Sequence, residues 1–109
     1  MGINENNKLR LGFYGNDLDA PGTYTDANWH HLVFTYDSST RGRQIFCDGE
    51  LVASDVSASA LNATSTWYLG WYQSDKNFCG GLANTRIYSG ILSDATIAQH
   101  YNQEKADIP

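Results

Sequence analysis

Residues 29–52, WHHLVFTYDSSTRGRQIFCDGELV, decide the fold class, because they combine apolar runs with two kinds of turn. The run over 29–36 is apolar on both alternating faces, which is typical of a strand covered on both sides. A polar turn follows at 37–42. Asp48-Gly49 then separates apolar runs at 44–47 and 51–53, and this pair favours a two-residue hairpin turn, which needs positive φ at both central residues. The stretch therefore predicts successive strands joined by tight turns.

Strand and turn signals continue outward from this stretch in both directions. Weak alternation predicts a strand over 9–14, and dense turn residues predict a loop over 15–22. On the C-terminal side we expect a loop over 54–65, a strand over 67–72, a polar loop over 73–77 and a long strand over 78–88. The Gly80-Gly81 pair in the last strand indicates a bulge or a close backbone approach.

Helical signals occur only at the end of the chain. Ser93 is a good N-cap residue, and Asp94 stands in the first turn, where the helix dipole favours a negative charge. Leu92 and Ile97 have the spacing of a hydrophobic staple. Because Ile97 and Tyr101 share one helix face, we predict a short helix over 94–103 that docks through these two residues.

Size and charge limit the partners of the chain. Its 109 residues are enough for one domain, and 41% hydrophobic with 17% charged residues is ordinary globular composition. The net charge of -5 argues against nucleic acid and anionic membrane surfaces as partners. No apolar run reaches the length of a membrane span, and the polar start shows no signal peptide.

Four motifs carry a resemblance to a known family. WHHLVFTYD (29–37) resembles the W-H-H strand of laminin G-like and pentraxin-like domains, and IFCDGELV (45–52) resembles their D-G hairpin. WYLG (67–70) is similar to the strand that follows, and FCGGLANTRIYSGILSDATI (78–97) resembles the closing signature. The resemblance to these concanavalin A-like lectin/glucanase domains implies an all-β fold. We expect an antiparallel jelly-roll β-sandwich with a short C-terminal helix, formed by one domain over 1–109.

The chain departs from the family pattern in two ways. Thr96 replaces the usual acidic residue of the capping box, and the opening strands of the family are expected to be absent. Missing strands would leave a strand edge unpaired and apolar side chains of the central strands uncovered. We therefore predict a homo-oligomer, with an isologous dimer favoured.

The resemblance implies a non-catalytic recognition module that binds carbohydrate or acts in adhesion, at an extracellular or cell-surface location. Alternatives are a structural module that assembles with its own copies, and a fragment without a ligand. The family also includes glucanases, but the glutamates, Glu5, Glu50 and Glu104, do not form the carboxylate pair that glycoside hydrolysis needs. We therefore predict that the chain is not an enzyme.

Loop polar residues and aromatic side chains are the candidate ligand contacts, because sugar rings pack on aromatic faces while amides and carboxylates bind hydroxyls. Trp29 and Trp67 are expected in the core instead. The candidate ligand-binding residues are Tyr14, Asn16, Asp17, Asp19, Tyr24, Trp71, Tyr72, Gln73 and Asp75.

Calcium is the candidate cofactor, because the family resemblance implies loop sites for it and hard cations bind converging oxygens. Asp17, Asp19 and Asp75 are its candidate ligands. However, Trp71 and Tyr72 stand where pentraxin-like domains carry an acidic pair. Aspartates are also the ordinary residues of plain turns, which is the favoured interpretation.

The sequence leaves the state of the two cysteines open and favours structural roles for two of the histidines. Cys47 and Cys79 either form a disulfide or remain two buried thiols. His30 and His31 are adjacent in a predicted strand, so they face opposite sides and do not readily serve one site. No second ligand stands at zinc-like spacing, and a structural role is favoured for both histidines.

Overall fold

The computed structural model describes residues 2–3, 6–12, 16–59 and 81–105. Within them, strands form two antiparallel three-stranded sheets, and one helix lies near the C-terminal end, which confirms the predicted fold class. The elements are β1 (Gly2–Ile3), β2 (Leu9–Gly12), β3 (Asp17–Asp19), β4 (Leu32–Asp37), β5 (Gly42–Cys47), β6 (Glu50–Val56) and α1 (Asp94–Glu104).

The first sheet has the order β1-β2-β3, and it corrects one prediction. Residues 15–22 were expected to form a loop, but Asp17–Asp19 is a strand that pairs with β2. Leu18 is buried while its two aspartate neighbours are exposed, which is the alternation of a half-buried strand. Arg10 stabilises the pairing from the neighbouring strand, because its Nε donates to Asp19 Oδ1 at 2.7 Å.

The second sheet has the order β4-β5-β6 and contains the predicted hairpin. Asp48 and Gly49 have φ values of 52° and 83°, so the Asp-Gly turn adopts the backbone that the sequence indicates. The polar turn over 38–41 joins β4 to β5, and the Ser39 amide donates to Asp37 Oδ1 at 2.9 Å. β6 continues to Val56, so the loop predicted from residue 54 begins later than expected.

The core lies between the two sheets. β2 packs against β5 and β3 packs against β6. The inward side chains form one buried cluster, and residues such as Tyr24 and Phe34 pack around it. The cluster consists of Leu9, Leu11, Leu18, Ala20, Ile45 and Cys47.

The C-terminal helix confirms the predicted start and docks on the hairpin. The Thr96 amide donates to Ser93 Oγ at 3.2 Å, so Ser93 is the N-cap. Ile97 is fully buried. A Cβ built on Gly49 would lie 3.1 Å from Tyr101 Cδ2, which shows how closely the helix approaches the Asp-Gly turn.

Two further predictions near the closing motif are wrong. The described part of the predicted 78–88 strand, residues 81–88, has no regular strand structure, and Asn84 has a φ of 53°, which breaks an extended conformation. Trp29 is 46% exposed and not in the core. Its ring covers Gly81, where a Cβ would lie 2.9 Å from Trp29 Cη2. The predicted strand over 67–72, the loop over 73–77 and Trp67 lie outside the described residues.

Candidate functional site

A polar cavity of about 240 Å³ lies at the end of the second sheet that carries the 38–41 turn. Thr35 pairs with Gln44, and Gln44 pairs with Ser54, in the register of the three strands. Residues opposite one another on neighbouring strands point to the same face, so these three polar side chains form a row across the sheet. We call the cavity the polar groove; it is lined by Thr35, Asp37, Thr40, Gly42, Arg43, Gln44, Ser54, Asp55 and Ile91.

Two carboxylates with different partners border the polar groove. Asp37 accepts hydrogen bonds from the side chain and the amide of Ser39, and these bonds hold the pKa of its carboxyl below the usual range. Asp55 accepts two hydrogen bonds from Arg43, at 2.8 Å from Nε and 2.7 Å from Nη2. Asp37 therefore offers acceptor oxygens to a ligand that carries hydroxyl groups. Both oxygens of Asp55 already accept from Arg43, and this pair points to the sheet face opposite that of Gln44 and Ser54.

Arg43 is the positive charge at this site, and it is only 2% exposed. Besides its bidentate pair with Asp55, its Nη1 donates to the Asn16 carbonyl at 2.6 Å. Asn16 itself donates through Nδ2 to Ser57 Oγ at 2.7 Å. These bonds join β5, β6 and the chain that leads into β3, so Arg43 holds one wall of the groove in place.

The described residues that the sequence predicted as ligand contacts do not form one site. Asn16 bonds to Ser57 and Arg43, and Asp17 and Asp19 both pair with Arg10 on β2. A calcium ion bound by these two aspartates would have to displace the guanidinium. Tyr24 packs against the core cluster. The other predicted contacts, Tyr14, Trp71, Tyr72, Gln73 and Asp75, lie outside the described residues.

A second cluster forms where the start of β4 meets the Asp-Gly turn. His30 Nδ1 lies 2.9 Å from Asp48 Oδ2, and His30 Nε2 lies 3.0 Å from Asp26 Oδ1. We call these three residues the histidine clamp. The hydrogen bond to Asp48 is the main reason why the pKa of His30 is raised, and Asp26 adds to it against the opposing effect of burial. The clamp ties the chain before β4 to the hairpin.

Backbone bonds fix the orientation of Asp48 within the histidine clamp. The His31 amide donates to Asp48 Oδ1 at 2.9 Å, and the Asp48 amide donates to the His31 carbonyl at 2.8 Å. Burial alone would raise the pKa of Asp48, but the hydrogen bonds from His30 and the His31 amide lower it below its usual range. Asp48 is therefore held as a carboxylate.

Cys47 adjoins the histidine clamp from the core side. Its Sγ lies 3.9 Å from His30 Nδ1 and 3.8 Å from Asp48 Oδ2. Burial is the main reason why the pKa of the thiol is raised, to about 11. Burial and a hydrogen bond with Cys47 likewise raise the pKa of Tyr24 to about 12. Among the described residues Cys47 has no disulfide partner, but Cys79 lies outside them, so the disulfide between the two stays a prediction.

Comparison with known proteins shows the family of the chain. A family model described as the concanavalin A-like lectin/glucanases superfamily matches residues 1–98. The chain belongs to this superfamily. The laminin G-like resemblance carried by the motifs at 29–37, 45–52 and 78–97 is thereby confirmed. The comparison with curated proteins found no significant match.

Among solved structures, this concanavalin A-like chain is similar to an S-layer domain-containing protein from Clostridium thermocellum, with a TM-score of 0.59 and 19% sequence identity. The match covers 86% of this chain and 49% of the S-layer structure, so the chain spans about half the length of that structure. At this identity the similarity shows the fold alone. In the part of the chain that the structure describes, no helix is long and apolar enough to cross a membrane.

Neither the polar groove nor the histidine clamp was predicted from the sequence, although strand register could have indicated both. Residues 30–31 precede β4 and residue 48 follows β5, so antiparallel pairing of Leu32 with Cys47 brings them together. The same register aligns Thr35 with Gln44. Asp26 gave no such signal, because its position depends on the irregular chain before β4.

Proposed function

We propose that this concanavalin A-like domain is a non-catalytic recognition module that binds carbohydrate in the polar groove, at an extracellular or cell-surface location. The observation that carries the proposal is the row of Thr35, Gln44 and Ser54, bordered by two carboxylates and by the apolar side chain of Ile91. Hydroxyl, amide and carboxylate groups can bind sugar hydroxyls, and an apolar side chain can contact the C–H face of a sugar ring.

The size of the polar groove supports a small ligand. Ligand pockets for drug-sized molecules occupy roughly 300–1,000 Å³. At about 240 Å³ the groove suits one sugar unit, such as a chain end or one residue of a longer glycan. The S-layer domain-containing protein of similar fold and the lectins in the superfamily description agree with a recognition role at a surface.

The lowered pKa of one groove carboxylate and the ion pair of the other support binding without hydrolysis. Glycoside hydrolysis needs a general acid whose pKa is raised, together with a second carboxylate. The pKa of Asp37 is lowered, and Asp55 is paired with Arg43. We expect no hydrolysis of β-glucans, chitin or galactans, and turnover that is lost when one acidic residue is replaced would contradict this part of the proposal.

A glycan array tests carbohydrate binding. The native chain and the Gln44→Ala variant are applied with calcium and with a chelator, and Gln103→Ala, an exposed amide on α1, is the matched control. We expect binding that falls at least about tenfold in Gln44→Ala, the effect of about 1.4 kcal/mol, and that is unchanged in Gln103→Ala. Absence of binding to any glycan, or equal binding by both variants, would contradict the proposal.

We also propose that Asp17, Asp19 and Asp75 bind calcium. The array with calcium and with a chelator tests whether glycan binding depends on this ion. A ligand that binds only the folded state must raise the melting temperature. If calcium binds, millimolar calcium raises the melting temperature and Asp17→Asn removes the shift. No shift in melting temperature would exclude this site.

Self-association is a second candidate role, and two features favour it. The residues from 81 to 91, which we call the closing segment, are all exposed, and the segment carries four large apolar side chains. Surface patches of this kind often mark interfaces. Within the described residues, β4 also has β5 as its only sheet neighbour. The four side chains are Leu82, Ile87, Tyr88 and Ile91, which are 56%, 64%, 48% and 49% exposed.

Light scattering at micromolar concentration tests this second role. We expect the mass of a dimer for the native chain and that of a monomer for Ile87→Lys, because a charge in an apolar contact is costly to desolvate. Thr23→Lys adds the same charge at an exposed site outside the closing segment and should leave the dimer intact. A monomer mass for the native chain would rule the role out.

A further inference from the structure

The side chains of His30, Cys47 and Asp48 place three potential metal ligands close together. Their ligand atoms all lie within 4.8 Å of one another. We propose that His30 Nδ1, Cys47 Sγ and a carboxylate oxygen of Asp48 form a binding site for a divalent transition metal that favours tetrahedral nitrogen and sulfur ligands, namely zinc. This site is separate from the polar groove and does not depend on the proposed carbohydrate binding.

The three distances between the ligand atoms fit a tetrahedral ion. With bonds of about 2.3 Å to sulfur and about 2.0–2.1 Å to nitrogen or oxygen, tetrahedral angles separate ligand atoms by about 3.3–3.6 Å. The observed separations are 3.9 Å from Sγ to Nδ1, 3.8 Å from Sγ to Oδ2 and 2.9 Å from Nδ1 to Oδ2. Each lies within about 0.5 Å of the expected value, so small side-chain rotations complete the site.

Asp26 supplies the outer interaction that metal-binding histidines usually have. A histidine ligand commonly donates its second ring N–H to a carboxylate, which fixes the tautomer and the orientation of the ring. His30 Nε2 lies 3.0 and 3.1 Å from the two carboxylate oxygens of Asp26, so Nε2–H donates there and Nδ1 is left for the metal. The Asp48 carboxylate is held in turn by the His31 amide.

The three ligand side chains lie at the border between the core and the surface of the protein. The Cys47 thiol faces the core, while the side chains of His30 and Asp48 are 21% and 35% exposed, so an ion can reach the ligands from solvent. On binding, the ion replaces the proton on Nδ1 and the proton on Sγ, and both protons pass to solvent. Three protein ligands leave one tetrahedral position for water.

Cobalt(II), followed by zinc competition, tests the site on the untagged full chain after reduction and removal of metal by a chelator. Tetrahedral cobalt bound to a thiolate absorbs in the near ultraviolet and in the visible range, so the spectrum reports the sulfur ligand directly. We expect a saturable spectrum at one cobalt per chain that zinc abolishes. Absence of a saturable thiolate band would overturn the proposal.

Two variants and one control identify the ligands. Cys47→Ser should lose the thiolate band, whereas Cys79→Ser, the matched thiol control, should keep it. Because Cys47 is buried, circular dichroism must show that its variant is folded; Asp26→Asn, at a side chain that is 50% exposed, avoids this risk. Asp26→Asn should weaken zinc binding by about 10–100-fold. A band that survives Cys47→Ser, a band lost in Cys79→Ser, or unchanged affinity in Asp26→Asn would overturn the assignment.

Discussion

Arg43 is the residue whose surroundings explain most about this end of the sandwich. Its guanidinium is buried, yet Asp55 and the Asn16 carbonyl together accept hydrogen bonds from three of its nitrogens. A buried charge is tolerated only when it is paired and hydrogen-bonded. Arg43 therefore depends on Asp55, and the shape of the polar groove depends on both.

Removing one partner of this pair should cost more than replacing both. Asp55→Ala leaves the guanidinium without its carboxylate, and we expect a loss of about 3 kcal/mol in the free energy of unfolding. The double variant Arg43→Met/Asp55→Leu removes both charges and should cost less than Asp55→Ala alone. Urea unfolding measures both values. A double variant that is less stable than Asp55→Ala would show that the pair itself stabilises the fold.

The lowered pKa of Asp19 predicts that the free energy of unfolding depends on pH. The hydrogen bond from Arg10 is the main reason why its pKa is lowered, and Lys8 adds to the effect, although burial opposes it. Because the folded pKa lies below the unfolded value of about 3.9, Asp19 stabilises the fold above about pH 4. This contribution, about 0.2–1 kcal/mol for a partly exposed pair, is lost as the pH falls through the folded pKa.

The corresponding measurement is urea unfolding at pH 7 and pH 3. Asp19→Asn should lower stability at pH 7 and should lose less stability between the two pH values than the native chain does. Asp17 shares the same arginine, so the comparison is repeated with Arg10→Gln, where Asp19→Asn should change the pH dependence less than in the native background, because only the effect of Lys8 remains. An unchanged pH dependence of Asp19→Asn in the native background would refute the prediction.

At the scale of elements, the Asp-Gly hairpin and helix α1 stabilise each other. Gly49 serves two purposes: its φ of 83° suits the turn, and its lack of a side chain leaves room for Tyr101. Gly22 has a similar φ of 87° but no atom within 4 Å of a built Cβ, so it is a matched control for the backbone cost alone.

Alanine at these two glycines separates the cost of the turn from that of helix docking. Gly22→Ala should lower the free energy of unfolding by about 1–2 kcal/mol, because L-residues disfavour the left-handed region. Gly49→Ala should cost about 1 kcal/mol more, because the tyrosine ring must also move. Equal losses for the two variants in urea unfolding would show that the close packing of Tyr101 on Gly49 does not add to the cost of the substitution.

Elements whose signals are local were predicted well. The Asp-Gly hairpin and the Ser93 cap follow from the conformational preferences of a few adjacent residues, and both are confirmed. Residues 78–88 were predicted as a strand, but Asn84 adopts positive φ and Gly81 packs under Trp29. Such tertiary contacts override the local pattern, so the sequence alone did not indicate them.

At the scale of the whole molecule, both candidate sites are produced by strand register. Thr35, Gln44 and Ser54 are separated along the chain and become neighbours only when β4, β5 and β6 pair. The family motifs predicted these strands and therefore the sandwich. They did not predict the groove, because a lining side chain such as Ile91 follows the 78–88 stretch, whose described part does not form the predicted strand.

The central claim is that the polar groove of this superfamily member binds carbohydrate, and amide chemical-shift mapping tests it most directly. The isotope-labelled chain is titrated with the glycans that bind in the array or, if none does, with a panel of mono- and disaccharides. We expect saturable shifts concentrated at the amides of residues 35–44 and 54–55, with Gln103 unaffected. Absence of saturable shifts, or shifts concentrated away from the groove, would contradict it.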